Sequence, residues 1–145
     1  MAKIGCKRTI PKKPLKRKLP KSKPTRISDW VLDDLVRKIL RFSSGGFCKR
    51  CKKFADTSIE VAHMYRRKRK TVRWDLRNVY PLCPSCHQEI DNDPVKLSSF
   101  LYEVMTREQV AELQELANLT IKQHPIDREQ IRDSLRERIK IMEDK

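Results

Sequence analysis

Two Cys-x-x-Cys pairs, Cys48-Lys-Arg-Cys51 and Cys83-Pro-Ser-Cys86, stand on either side of a long insert. Each pair makes a tight turn that aims two sulfurs at one point, and the insert is long enough for the two turns to converge. Four thiolates so arranged suit a tetrahedral Zn²⁺. Coincidence or a redox pair are the alternatives, but two such pairs rarely arise together by accident. A site closed by four sulfurs has no open position, so its zinc is structural. The insert also holds Glu60-Val-Ala-His63 and Arg73-Trp-Asp-Leu-Arg-Asn78, and His87 directly follows the last cysteine. Zinc alone explains none of His63, Asn78 and His87.

A chain of 145 residues, 38% apolar and 37% charged, suits one domain with a small core, which a structural metal helps to hold. A net charge of +15 favours a polyanionic partner, nucleic acid or an anionic membrane surface. No apolar run approaches the ~20 residues that span a bilayer, so no membrane partner is expected. The N-terminal lysines lack an apolar signal core, and a cytoplasmic rather than secreted protein is expected. Five cysteines, four of them in pairs, fit a reducing interior with zinc better than disulfides. Cys6 is left over as an ordinary tail residue.

Residues 1–26 hold eleven Lys or Arg and no acid, Lys12, Lys13, Lys16, Arg17 and Lys18 among them, with four prolines spread through them. This predicts a disordered basic arm that gains affinity for phosphates by counterion release; a solubilising tail or a localisation signal is the plainer reading. The remaining residues net +4. Residues 64–80 carry seven basic residues against Asp75, a net +6, so the rest of the folded part nets −2. Positive charge outside the arm is thus concentrated in Arg66, Arg67, Lys68, Arg69, Lys70, Arg73 and Arg77, next to His63.

Ser28 reads as an N-cap, and Leu32, Leu35, Val36, Ile39 and Leu40 follow helical spacing to a stop at Ser43-Ser-Gly-Gly46. Ile59–Met64 and Val79–Leu82 read as short strands. Pro84 suits the first turn of a helix on which His87 and Asp91, four apart, face one way. Asp93-Pro94, Thr106-x-x-Gln109 and Asp127-x-x-Gln130 open three more helices. Their inward stripes are Leu97, Phe100, Leu101, Val104 and Met105; then Val110, Leu113, Ala117 and Ile121; then Ile131, Leu135, Ile139 and Met142. They read as core or interface, and the last helix could pair with a second subunit as a homodimer. With no Gly-rich phosphate loop, no small-molecule cofactor is expected. His124, before Pro125, reads as loop.

The span from Cys48 to Asp91 resembles the HNH, or ββα-metal, nuclease motif in the form stapled by two Cys-x-x-Cys pairs. The order Cys48/Cys51, Ala62-His63, Arg73-Trp74-Asp75-Asn78, Cys83/Cys86 is similar to that of the phage NinG/Rap recombination proteins, over about residues 30 to 105. The resemblance implies that His63, ending the first strand, is the general base. It implies that Asn78 braces the loop and that His87, with Asp91 one turn on, binds a catalytic Mg²⁺ or Mn²⁺. Many HNH motifs have Asp or His just before the base; here Ala62 leaves the metal fewer protein ligands. NinG-type proteins often have Asn after the last cysteine; His87 is a better ligand.

The expected fold is α+β: a zinc-stapled ββα core over residues 27–105, C-terminal helices over 106–145 for packing or oligomerisation, and the arm over 1–26. The expected activity is metal-dependent phosphodiester hydrolysis in DNA, on branched substrates such as junctions, D-loops or flaps, inside a bacterial host. Asp75 is expected to pair with an arginine. The alternatives are a non-catalytic zinc-ribbon DNA-binding protein, and a nuclease acting on RNA, since this chemistry does not read the sugar.

Overall fold

The computed structural model describes residues 26–145; the basic arm up to residue 25, with Lys12, Lys13, Lys16, Arg17 and Lys18, lies outside that range. Helix α1 runs Asp29–Ser44 and buries Leu32, Val36, Ile39 and Leu40, one face of the helical period. Ser28 is extended, as an N-cap should be, but its side chain makes no capping bond. Gly45 ends the helix at φ 57°, left-handed backbone that glycine enters without a Cβ clash. Gly46 follows at φ 85°, where a Cβ would lie 2.7 Å from the Phe54 ring. The chain can therefore reverse directly into the first cysteine turn. There Cys48 N–H donates to the Lys53 carbonyl (2.9 Å), and Lys49 N–H fastens the turn to the Pro81 carbonyl (2.8 Å).

Strand β1, Glu60–His63, pairs antiparallel with β2, Val79–Leu82, from Glu60↔Leu82 to His63↔Val79. It is shorter than expected at both ends. Ile59 closes a short 3₁₀ turn at Asp56–Ser58, and the chain bends away at Met64. Helix α2, Pro84–Asn92, starts from Cys83 as N-cap with Pro84 in its first turn. It is followed by α3, Pro94–Val104, whose N-cap Asp93 accepts from Val95 N–H and Lys96 N–H. Helix α4, Arg107–Asn118, opens on a complete Thr106/Gln109 capping box. Helix α5, Arg128–Glu143, is capped by Asp127. Among the described residues, five helices around a two-stranded sheet make the fold α+β, as the pattern of caps and stripes implied.

Two apolar clusters hold these elements. One joins the cysteines, Ala62, Val72 and Leu82 to Ile90, Phe100, Leu101, Val110, Leu113 and Ala117 of α2, α3 and α4. The other joins α1 to Trp74, Val79 and Leu135, with Ile131, Ile139 and Met142 of α5 packed against it. The α5 stripe is thus packed against α1 of the same chain. Ile121, expected inward on α4, lies beyond the helix and is 46% exposed. The helix stops because Thr120 N–H bonds the Gln123 side chain (2.9 Å) and Gln123 N–H bonds the Thr120 carbonyl (3.0 Å), a separate turn. No described helix is long and apolar enough to cross a membrane.

Candidate active site

The cysteine turns deliver Cys48, Cys51, Cys83 and Cys86 with all four sulfurs within 4.8 Å of one another. Cys51 Sγ and Cys83 Sγ are 3.8 Å apart, the spacing that tetrahedral zinc–sulfur bonds of about 2.3 Å produce. The sulfurs alone are in conflict. Burial, and then the three neighbouring sulfurs, push Cys86 up to about 12. At Cys83 burial also opposes the thiolate, but Ser85 and the Cys86 backbone outweigh it and hold the thiol at about 6. A divalent cation resolves this, because it stabilises every thiolate at once. The four cysteines therefore fit a closed, structural zinc site.

His63 is delivered by the end of β1, opposite Val79. Its Nε2 lies 3.1 Å from the Arg73 carbonyl. A carbonyl only accepts, so Nε2 carries the proton and Nδ1 keeps the lone pair. Burial above all, and then the charge of Arg67, hold the ring down to about 4, against Asp33 and the Arg73 carbonyl, which favour the imidazolium. At neutral pH the ring is uncharged, with one basic nitrogen free.

The loop from Met64 to Asn78 is held from both sides. Asn78 is fully buried. Its Oδ1 accepts from Tyr65 N–H (2.7 Å), and its Nδ2 donates to the carbonyls of Val72 (3.0 Å) and Tyr65 (3.1 Å). Both ends of the loop therefore close on one amide. On the α1 side, Arg73 donates to Asp33 through Nη2 (2.6 Å) and Nε (3.1 Å), and to Asp29 through Nη1 (3.0 Å). Trp74 Nε1–H also reaches Asp33 (2.8 Å). Lys70 and Arg128 converge on Asp29 as well. Asp29 is held down to about 2, chiefly by its hydrogen bond to Lys70.

Part of the expected DNA-facing set is bonded within the chain. Arg73, 12% exposed, is committed to α1 and shapes the loop rather than facing solvent. Lys70 is paired with Asp29, and Arg77 with Asp75 (2.8 Å) and Glu112 (3.1 Å); the Asp75 pairing is the one expected. Arg66, Arg67, Lys68 and Arg69 are exposed and make no ion pair among the described residues.

His87 stands one turn into α2, its N–H bonded to the Cys83 carbonyl (3.0 Å). Its Nδ1 is 2.6 Å from Glu60 Oε2, and its Nε2 is 3.5 Å from Asp91 Oδ2. An imidazole nitrogen and a carboxylate oxygen at that spacing are a donor set that suits a divalent cation. Glu60 is the residue that sequence reasoning missed. Its signal was an acid on the Ala62 face of an otherwise apolar strand, two residues earlier. His63 and His87 are not joined: no hydrogen bond or ion pair links them among the described residues. Glu60 and His63 lie three strand residues apart, about 10 Å, with side chains on opposite faces.

Residues 48–93 match the family model described as HNH endonuclease, a span that holds the four cysteines, Glu60, His63, Asn78, His87 and Asp91. Comparison with curated proteins and with solved structures finds no match. Over about a third of its length, then, this chain carries an HNH endonuclease domain match with four cysteines positioned to bind zinc.

Proposed function

We propose that the chain is a metal-dependent endonuclease that hydrolyses DNA phosphodiester bonds. The observation that carries the reading is His63: a neutral ring, tied at Nε2 to the Arg73 carbonyl, with its Nδ1 lone pair next to an Arg66–Arg69 run that makes no ion pair among the described residues. His63 Nδ1 takes a proton from water as the water oxygen bonds phosphorus, and the bond from phosphorus to the 3′ oxygen breaks in line. Asn78 and Arg73 act on this step indirectly, by fixing the carbonyl that orients His63. A phosphate drawn to Arg67 offsets the charge that depresses His63, so the base strengthens when substrate arrives. His87 and Asp91 would hold Mg²⁺ or Mn²⁺, which would supply Lewis-acid stabilisation of charge on the leaving oxygen.

The motif order shared with NinG/Rap proteins supports branched DNA as substrate and phage recombination in the bacterial cytoplasm as the setting. A non-catalytic DNA-binding role is the second reading. It is favoured by Ala62, 1% exposed where many HNH motifs carry a metal-binding acid, and by the separation of the His63 and His87 groups. Incubation with junction, flap, duplex and single-stranded DNA, in Mg²⁺ or Mn²⁺ against EDTA, decides between them. The nuclease reading expects metal-dependent cuts, fastest on a branched substrate, and a loss of about 10²–10⁴-fold in His63→Ala with DNA binding intact. Binding without cleavage by the wild type, or equal rates in both proteins, overturns it.

A further inference from the structure

We propose that Glu60 is the positioning residue of the catalytic metal site: its carboxylate holds the Nδ1–H of His87 and so presents the bare Nε2, with Asp91, to the cation. This rests on the metal-dependent reading above, and it gives a role to a residue that the motif resemblance leaves without one.

The argument starts from hydrogen-bond chemistry. The Glu60 carboxylate only accepts, so Nδ1, 2.6 Å away, carries a proton. Nε2 is then the nitrogen left for a cation, and it faces Asp91 Oδ2 at 3.5 Å. Without a proton on Nε2 the pair is two acceptors facing each other, an arrangement that a cation between them stabilises. Carboxylate, imidazole and cation in series is the arrangement in which a metal-binding histidine is oriented and made more basic by its outer partner.

The backbone makes this geometry hard to avoid. Glu60 is paired with Leu82 in the sheet register, Cys83 is the next residue, and His87 N–H closes the first helical turn on the Cys83 carbonyl. Glu60 and His87 are thus fixed by the same strand end and the same cysteine staple. Glu60 makes no other ion pair among the described residues. Because Ala62 contributes no ligand, the cation depends on His87 and Asp91, so the orientation of one ring matters more here than in a fuller site.

The test uses the full-length, zinc-loaded chain without DNA, with Mn²⁺ as the probe. Mn²⁺ affinity is measured by calorimetry or electron paramagnetic resonance, and the His87 tautomer by ¹⁵N-resolved NMR, for wild type, Glu60→Gln, Glu60→Ala and His87→Ala. Wild type should show Nδ1–H and a bare Nε2. Glu60→Ala should shift toward the Nε2–H tautomer and bind Mn²⁺ about 10–100-fold more weakly with its zinc retained. Glu60→Gln, whose amide oxygen still accepts from Nδ1–H, should keep the tautomer and lose less. His87-dependent Mn²⁺ binding that is unchanged in Glu60→Ala overturns the positioning role and leaves the metal site standing. A Gln variant as weak as the Ala variant makes Glu60 a direct ligand and also overturns it. Wild type that binds no Mn²⁺, or binds it equally without His87, overturns both the role and the metal reading.

Discussion

His63 Nε2 is bonded to the Arg73 carbonyl at 3.1 Å, while the Arg73 guanidinium is bonded to Asp33 at 2.6 Å. One residue therefore sets the tautomer of the histidine with its backbone and ties that backbone to α1 with its side chain. Arg73→Ala removes the tie and leaves Asp33 short of its main cation in a partly buried site, while Asp29 keeps Lys70 and Arg128. The expected cost is about 2–3 kcal/mol, less than for a fully buried pair. Arg73→Lys should recover only part, because an ammonium cannot span two carboxylates as the guanidinium fork does. Chemical denaturation of the three proteins checks this; equal midpoints would contradict it.

Asn78→Ala should be costly for a different reason. It removes no charge but orphans Tyr65 N–H and two carbonyls around a fully buried side chain. The expected loss is about 2–4 kcal/mol. Asn78→Asp, equal in size, should be no better, since it turns an acceptor toward the Val72 and Tyr65 carbonyls that need a donor. Denaturation midpoints and amide exchange over residues 64–78 measure both.

The cysteine pairs, both strands and the capped helix starts were legible because their signals are local: fixed spacing, apolar period, and Asp, Thr or Pro at the first turn. What was not legible depends on distant partners. Arg73 read as one more member of a basic run because its partners Asp29 and Asp33 are forty-odd residues away. Glu60 read as strand filling because its meeting with His87 depends on how the cysteine staple turns α2 against β1. Ile121 kept helical spacing past a turn that the Thr120 and Gln123 side chains close locally. Of the candidate site, His63, Asn78 and His87 could be named from sequence, but not that they fall into two separate bonded groups.

Cys83→Ser should release metal and loosen the whole first cluster. Cys83 supplies a sulfur, the N-cap of α2 and the carbonyl that holds His87 N–H, while the core around it is small. Serine keeps the cap but not the thiolate. Metal analysis should find well under one zinc per chain, with a collapse of thermal stability, as expected when metal binding is coupled to folding. Full zinc occupancy with an unchanged melting curve would count against a structural site.

His63 should also make stability depend on pH. Its folded-state value, about 4, lies below the 6.5 of the unfolded chain. Between those values the unfolded chain binds the extra proton, so stability is fully present above pH 6.5 and declines as pH falls toward 4. Partial exposure screens the effect, leaving about 2 kcal/mol. Asp29, held at about 2, has a folded-state value that also lies below its unfolded one. Its contribution is present above its ordinary 3.8 and is lost below it, at more acid pH than that of His63. In His63→Gln the decline between pH 6.5 and 4 should flatten. An equal slope in wild type and variant would rule out His63 as its source.

One substitution at Arg67 tests the proposed base and the proposed phosphate contact together. Arg67 is exposed, and after burial its charge is the strongest influence holding His63 down. Arg67→Gln removes that charge without emptying the site, so the His63 titration, followed by NMR, should move up from about 4. If the same guanidinium grips a phosphate, DNA affinity should fall, and the slope of log affinity against log salt should shrink by about 0.9 for one lost contact. The two readouts are independent. A raised His63 with an unchanged salt slope would mean that Arg67 tunes the base without touching DNA. A reduced slope with His63 unmoved would mean that the ring is depressed by burial alone, and that substrate does not strengthen the base through Arg67.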